Sequence, residues 1–182
     1  MTIESNTECK CLTPDADVAW LLTLVGQSPR EGAIVEIGCY HGALTTRLAT
    51  ICRITGRKLF AVDPFSESHL GNMPKAERVF RDTVSNDADV LTFFKCNSDD
   101  CWKDITVPVS FVYVDGDHSY DGALRDIRNA WSKLIPGGIV AIHDMDRSQI
   151  NQAVADFAAS QHKAGRYSYR HSEGCGLDWF IR

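Results

Sequence analysis

The sequence predicts an α/β domain: a parallel sheet carrying helices on both faces. Two observations lead there. Short apolar runs alternate with helix-period segments through five units, and that alternation builds a parallel sheet covered on both sides. Several of the runs also end in acids or histidines, at Asp63, Asp115 and His143-Asp144. In open α/β sheets those strand ends are where ligands bind.

A chain of 182 residues is long enough for one domain with a true core and short for two, so residues 1–182 read as a single domain. A net charge of −5 and the lack of any Lys/Arg run argue against a nucleic-acid partner. No apolar stretch approaches the roughly 18 residues of a membrane span. The N-terminal MTIESNTECKC has neither the basic lead nor the apolar core of a signal peptide, so a cytoplasmic location is expected. The 7 cysteines are an odd set that fits reduced packing residues better than a disulfide framework. Cys9-x-Cys11 is the one suggestive pair, and no partner at zinc-ligand spacing accompanies it.

Residues 1–12 are polar and expected to be loosely held. Thr13-Pro14 suits a helix cap and first turn. Val18, Leu21, Leu22 and Val25 then mark one face of a helix over 14–26. The central stretch follows. Ala33 to Gly38 is an apolar strand with an acid, Glu36, inside it. Gly38-x-x-x-Gly42 is a tight turn, and Leu44, Leu48, Ile51 and Cys52 give a helix over 43–55 with Gly56 as its C-cap. Such a turn exposes backbone N–H groups at a helix N-terminus and lets a ligand approach the backbone.

Residues 58–63 form a second strand ending at Asp63. An irregular excursion is expected over 66–74, with Gly71 and Pro74 as breakers, and Ala76, Val79, Phe80 and Thr83 mark a helix. Residues 90–96 are a third strand, with Asn97 to Asp100 as the loop after it. Residues 109–115 are the most apolar run and so the expected centre of the sheet. Leu124, Ile127, Trp131 and Leu134 mark a helix, and Pro136-Gly137-Gly138 a sharp turn. Ile139 to Ile142 is a fifth strand, and Ile150, Val154, Phe157 and Ala158 mark the last helix. The tail from Tyr167 offers two short strands around Gly174-Cys175-Gly176, a candidate antiparallel hairpin at a sheet edge.

Read from residue chemistry, Asp63 at the second strand's end suits two vicinal ribose hydroxyls. Glu36 needs a hydrogen-bonded or cationic partner if buried. Asp115-Gly116-Asp117-His118 and His143-Asp144 form a second constellation. Oxygen-rich ligation there suits Mg²⁺, and the imidazoles also admit Mn²⁺, Fe²⁺ or Zn²⁺.

These residues resemble a known family. Val35-Glu36-Ile37-Gly38-x-x-x-Gly42, Ala61-Val62-Asp63, Asp115-Gly116-Asp117-His118-Ser119-Tyr120, Pro136-Gly137-Gly138 and His143-Asp144 look like class I S-adenosylmethionine-dependent methyltransferases. The nearest branch is that similar to macrocin- and cephalosporin-type O-methyltransferases. The resemblance spans roughly residues 30–150. It implies a Rossmann-like three-layer sandwich with a mostly parallel seven-stranded sheet and an antiparallel C-terminal strand. It implies that Glu36, Gly38, Tyr40 and Gly42 wrap the methionine part of the cofactor, that Asp63 holds the ribose, and that Asn97 and Ser98 border the adenine. Asp115 would serve both cofactor and metal. A metal such as Mg²⁺ would sit on Asp115, His143 and Asp144. Asp117, or His118, would be the base. Relatives often carry two acids or Asp-Asn where this chain has His143-Asp144, so the metal is the point of departure.

The expected reaction is O-methylation of a small hydroxylated metabolite or sugar, with S-adenosylmethionine as methyl donor. Trp20, Tyr40, His41, Phe65, His69, Met73 and Tyr120 are candidates to line the acceptor. The short acceptor-covering segments suggest an open pocket or one completed by a second subunit. Two alternatives stand beside this. A nicotinamide-dependent oxidoreductase shares strand, glycine turn and acid, but Tyr40 stands where its second glycine is needed. A cofactor-binding accessory protein without catalysis would keep the fold alone.

Overall fold

The computed structural model describes residues 9–66, 72–164, 168–171 and 176–182. His69, Gly71, Tyr167, Gly174 and Cys175, and the first eight residues, lie outside the described residues. The sheet runs in the order β3-β2-β1-β4-β5-β7-β6. Its strands are β1 (Ala33–Ile37), β2 (Leu59–Val62), β3 (Leu91–Phe94), β4 (Val109–Val114), β5 (Leu134–Ile142), β6 (Ser168–His171) and β7 (Asp178–Ile181). The pairs β1–β2, β1–β4, β2–β3 and β4–β5 are parallel. The C-terminal pairs β5–β7 and β6–β7 are antiparallel, which makes the expected hairpin. The order reverses between β1 and β4, and that switch point is where the polar groups gather.

Helices α1 (Asp15–Gln27), α2 (Ala43–Thr55), α3 (Met73–Thr83), α4 (Ser98–Cys101), α5 (Tyr120–Lys133) and α6 (Ser148–Ala164) cover the two faces. Alternation along β4 divides the core. Phe111 and Tyr113 face Val18, Leu21 and Leu24 of α1 and Leu48 of α2. Val112 and Val114 face Leu124 and Ile127 of α5 and Phe157 of α6. All six β4 positions are buried, as a central parallel strand requires. Among the described residues, no helix is long and apolar enough to cross a membrane. All six described cysteines are free thiols.

The structure corrects several local expectations. Helix α1 begins after Pro14, which occupies the N-cap position without a side-chain cap. Thr13 points elsewhere, its hydroxyl 3.5 Å from that of Tyr113. A missing cap costs about 1 kcal/mol. Burying Val18, Leu21, Leu24 and Val25 at roughly 1.5–3 kcal/mol each outweighs it. Pro74 is not a breaker: it sits in the first turn of α3 behind the Asn72 cap, where proline is tolerated. Residues Ser98–Cys101 turn helical instead of forming a loop. Pro136-Gly137-Gly138 lie within β5, in a register irregularity where Val109 pairs Leu134 but Phe111 pairs Ile139. Cys9 and Lys10, expected to be loose, are tied to His41.

A buried guanidinium closes the opposite end of the sheet. Arg57 donates to the carbonyls of Gly32 (2.8 Å) and Val25 (3.3 Å), and to the hydroxyls of Ser28 (3.2 Å) and Ser110 (2.6 Å). Burial lowers its pKa from the ordinary value. Its planar fork satisfies several acceptors at once, which a lysine cannot do.

Candidate active site

The site grows from the loops after β1, β2, β4 and β5. Gly38 takes φ +86°, and a Cβ there would stand 2.0 Å from the Asp115 carbonyl oxygen. The β1 and β4 loops therefore touch at a position open only to glycine. Tyr40 follows at φ +45°. Gly42, at φ +81°, is the N-cap of α2. Its missing side chain makes room for Phe80 and Val84, so it shapes the turn from behind and does not line the cavity.

Asp63 binds this loop. Its Oδ2 accepts the N–H groups of Cys39 (2.9 Å) and Tyr40 (3.1 Å), and its Oδ1 that of Phe65 (2.8 Å). The acid at the end of β2 thus fixes the glycine turn, with one acceptor site on Oδ1 left for the cavity it lines. Glu36 lies 1% exposed beneath the turn. Burial pushes its carboxyl up to about 8, with help from Asp115 and Asp63. Among the described residues its Oε2 meets no hydrogen-bond partner. A buried orphan oxygen of this kind is costly unless a ligand completes it.

On the β4–β5 side, acids and imidazoles interlock. Asp115 accepts from the Tyr113 hydroxyl at 3.2 Å. His118 Nε2 lies 3.1 Å from Asp144 Oδ2 and 3.6 Å from Asp115 Oδ1. His143 Nδ1 lies 3.3 Å from Asp115 Oδ1 and 3.2 Å from Asp144 Oδ1. Its Nε2 is 3.0 Å from Asp17 Oδ2. Burial alone would lower the pKa of His143, but Asp115, Asp17 and Asp144 outweigh it and raise it to about 9. Burial pushes Asp115 up, and the nearby imidazoles of His118 and His143 carry it below its ordinary value. The two shifts describe one ion pair. Asp144 sits at φ +58°, a strained conformation for a residue with a Cβ, and Arg147 Nε holds it at 2.8 Å.

The donor atoms of Asp115, His118 and Asp144 lie within 4.8 Å of one another. Two carboxylates and an imidazole at that spacing fit a divalent ion. His143, expected as the ligand, stands outside this group because carboxylates on both sides engage both its ring nitrogens. Asp117, expected as the base, is exposed and folds onto the start of α5. Its Oδ1 accepts the Ser119 N–H at 2.9 Å, and a Cβ on Gly122 would stand 2.2 Å from its Oδ2.

These groups line one cavity of about 660 Å³ that also reaches Asn97 and Ser98. Of the expected acceptor-lining residues, Tyr40 and Met73 line it. Trp20 stacks on Trp179 instead, Phe65 is buried against Phe80 and Phe93, and the Tyr120 hydroxyl bonds Asp156 at 2.8 Å. Three groups had not been singled out. Asp17 is buried on the apolar stripe of α1 and accepts the Gly176 N–H at 3.3 Å; an acid in register with Leu21 and Leu24 was the available signal. Asp126 is buried, bonded by the Ser98 hydroxyl, and pushed up to about 6, chiefly by burial. Residues 10–13 form a wall of the cavity, and their polarity gave no hint of it.

Comparison with known proteins gives a family-model match over residues 35–145, to a family described as "Methyltransferase domain". Among solved structures, the O-methyltransferase NovP superposes with a TM-score of 0.68 at 18% identity, over 92% of this chain and 78% of its own. The SAH-bound methyltransferase PaMTH1 of Podospora anserina gives 0.70 at 15%, over 94% and 79%. A putative rRNA-methylase from Clostridium thermocellum gives 0.66 at 17%, over 90% and 94%. At such identities the likeness is one of fold.

Proposed function

This chain belongs to the methyltransferase-domain family, and from that premise we propose that it binds S-adenosylmethionine and methylates a hydroxyl of a small metabolite or sugar. The observation that carries the reading is Glu36. A buried acid with an orphaned oxygen under the glycine turn suits a cationic ligand end. Tyr40 stands where a pyrophosphate loop needs glycine, which disfavours a nicotinamide cofactor. The net charge of −5 would disfavour an RNA backbone, so a small acceptor is preferred over the substrate class named for the clostridial protein.

Glu36, Gly38 and Tyr40 would hold the methionine part, Asp63 the ribose, and Asn97 and Ser98 the base. Asp115 would border both halves of the site. Methyl transfer is an in-line displacement, so much of its rate comes from aligning the acceptor oxygen with the sulfonium methyl. His118 is better placed than Asp117 to take the hydroxyl proton. It lies between Asp115 and Asp144, and these carboxylates would stabilise the charge its ring acquires. Asp115, His118 and Asp144 are also the donor set for a divalent ion, which when bound would supply positive charge that lowers the hydroxyl pKa. A His118 ligated through Nε2 has no lone pair there for a proton, so turnover that survives a chelator assigns it to proton transfer.

Asp115→Ala and Asp144→Ala should each cost roughly 10²-fold or more in turnover, the scale on which a positioned proton-transfer group acts. S-adenosylhomocysteine affinity of Asp144→Ala should change little. Calorimetry and a methyl-transfer assay measure the two separately. Wild-type turnover in either variant contradicts the assignment of this cluster to the chemistry.

A further inference from the structure

The wall formed by residues 10–13 is pinned at both ends. The Lys10 N–H donates to His41 Nδ1 at 3.2 Å and the Cys9 thiol to the His41 carbonyl at 3.4 Å. At the other end the Thr13 hydroxyl lies 3.5 Å from that of Tyr113. His41 is itself fixed: it is 6% exposed, and its ring stacks on Tyr40 at 3.9 Å with the planes 8° apart. An Nδ1 that accepts a hydrogen bond carries no proton. Burial, then Lys10 and Lys75, hold the His41 pKa below its ordinary value and keep that acceptor available.

The charges of the cavity point the same way. Its lining includes Lys10, Arg125 and Arg147. Arg125 is spent on Asp99 at 2.7 Å and Arg147 on Asp144 at 2.8 Å. Among the described residues Lys10 enters no ion pair. It is also at the correct end. Lys10 and Glu36 line the same cavity, and His41, to which the Lys10 N–H is tied, lies within the glycine turn that follows Glu36. A ligand that ends in an ammonium and a carboxylate needs one acid and one base there. Glu36 is the acid.

Resting on the cofactor reading above, we propose that residues 10–13 are a strap over the amino-acid end of S-adenosylmethionine, latched by His41, with the Lys10 ammonium as partner of the ligand's α-carboxylate. His41 acts through the strap and is a positioning residue.

The test compares S-adenosylmethionine with its decarboxylated analogue, by calorimetry on the full chain. The analogue keeps the sulfonium, ribose and adenine and lacks only the carboxylate. Lys10→Met should weaken S-adenosylmethionine binding about tenfold or more, the range of a charge-assisted hydrogen bond, and leave the analogue's affinity unchanged. His41→Phe keeps the stacking ring and removes the acceptor, so it should narrow the same preference, and His41→Asn, which restores an acceptor, should recover it. A merely structural role would move both ligands together. If Lys10→Met weakens both ligands equally, or neither, the strap assignment is overturned while the cofactor reading stands. A wild-type chain that binds neither ligand overturns both.

Discussion

Glu36→Gln should weaken S-adenosylmethionine binding by roughly 10- to 100-fold, since it removes the charged partner of the ligand's cationic end. The same change should help the empty protein. The Glu36 carboxyl rises from an ordinary 4.5 to about 8 in the fold. Between those values the folded chain holds a proton that the unfolded chain has released. The contribution of this group to stability is therefore full below about pH 4.5 and falls as pH rises toward 8. Glutamine never ionises, so the thermal midpoint of the variant should exceed that of wild type by more at pH 8 than at pH 5. Binding a cation also favours loss of the proton, so wild-type affinity should climb with pH toward 8 and the variant's should not. Equal affinities in the two proteins, or parallel pH profiles, would remove Glu36 from the site.

Gly38→Ala should be the most damaging single methyl at any described glycine. The residue sits at φ +86°, which costs an alanine about 1–3 kcal/mol. Its Cβ would also stand 2.0 Å from the Asp115 carbonyl oxygen and 2.6 Å from its carbon. Both atoms are backbone, so no rotamer relieves the clash. Overpacking of that kind adds about 1–3 kcal/mol. At roughly 2–4 °C per kcal/mol for a chain of this size, the thermal midpoint should fall by about 10 °C, and cofactor binding should be lost as the β1 and β4 loops separate. Gly26→Ala is the control. It lies in α1 with nothing within 4 Å of the added carbon, so it should be neutral or slightly stabilising. A stable Gly38→Ala with wild-type affinity would mean that the two loops do not meet as described.

Much of the fold was legible because its strands are buried on both faces and read as continuous apolar runs. The helices between them repeat at 3.6 residues, and short connections leave little freedom in order. Strand ends were legible for the same reason, so Asp63, Asp115, His118, His143 and Asp144 could be placed on one rim, with Glu36 inside the first strand. What side chains do after arriving there was not legible. Whether Asp117 or His118 turns toward the cavity depends on a bond to the Ser119 N–H, and whether His143 is outward or clamped depends on Asp17, distant in sequence. Asp126 carried no signal of burial because its partner Ser98 lies 28 residues away in sequence, in α4. The strap was invisible because polar residues near a terminus carry no periodicity. The irregular pairing at Pro136 to Gly138 was misread because proline and glycine punctuate turns and strand bulges alike.

The cavity above β1 and β4 is the proposed seat of S-adenosylmethionine. Calorimetric titration of the wild-type chain with S-adenosylmethionine, and separately with NAD, tests it directly. The expected result is saturable one-to-one binding of S-adenosylmethionine, competed by S-adenosylhomocysteine, with no heat from NAD. Binding of NAD, or no binding of S-adenosylmethionine by the folded chain, would contradict it.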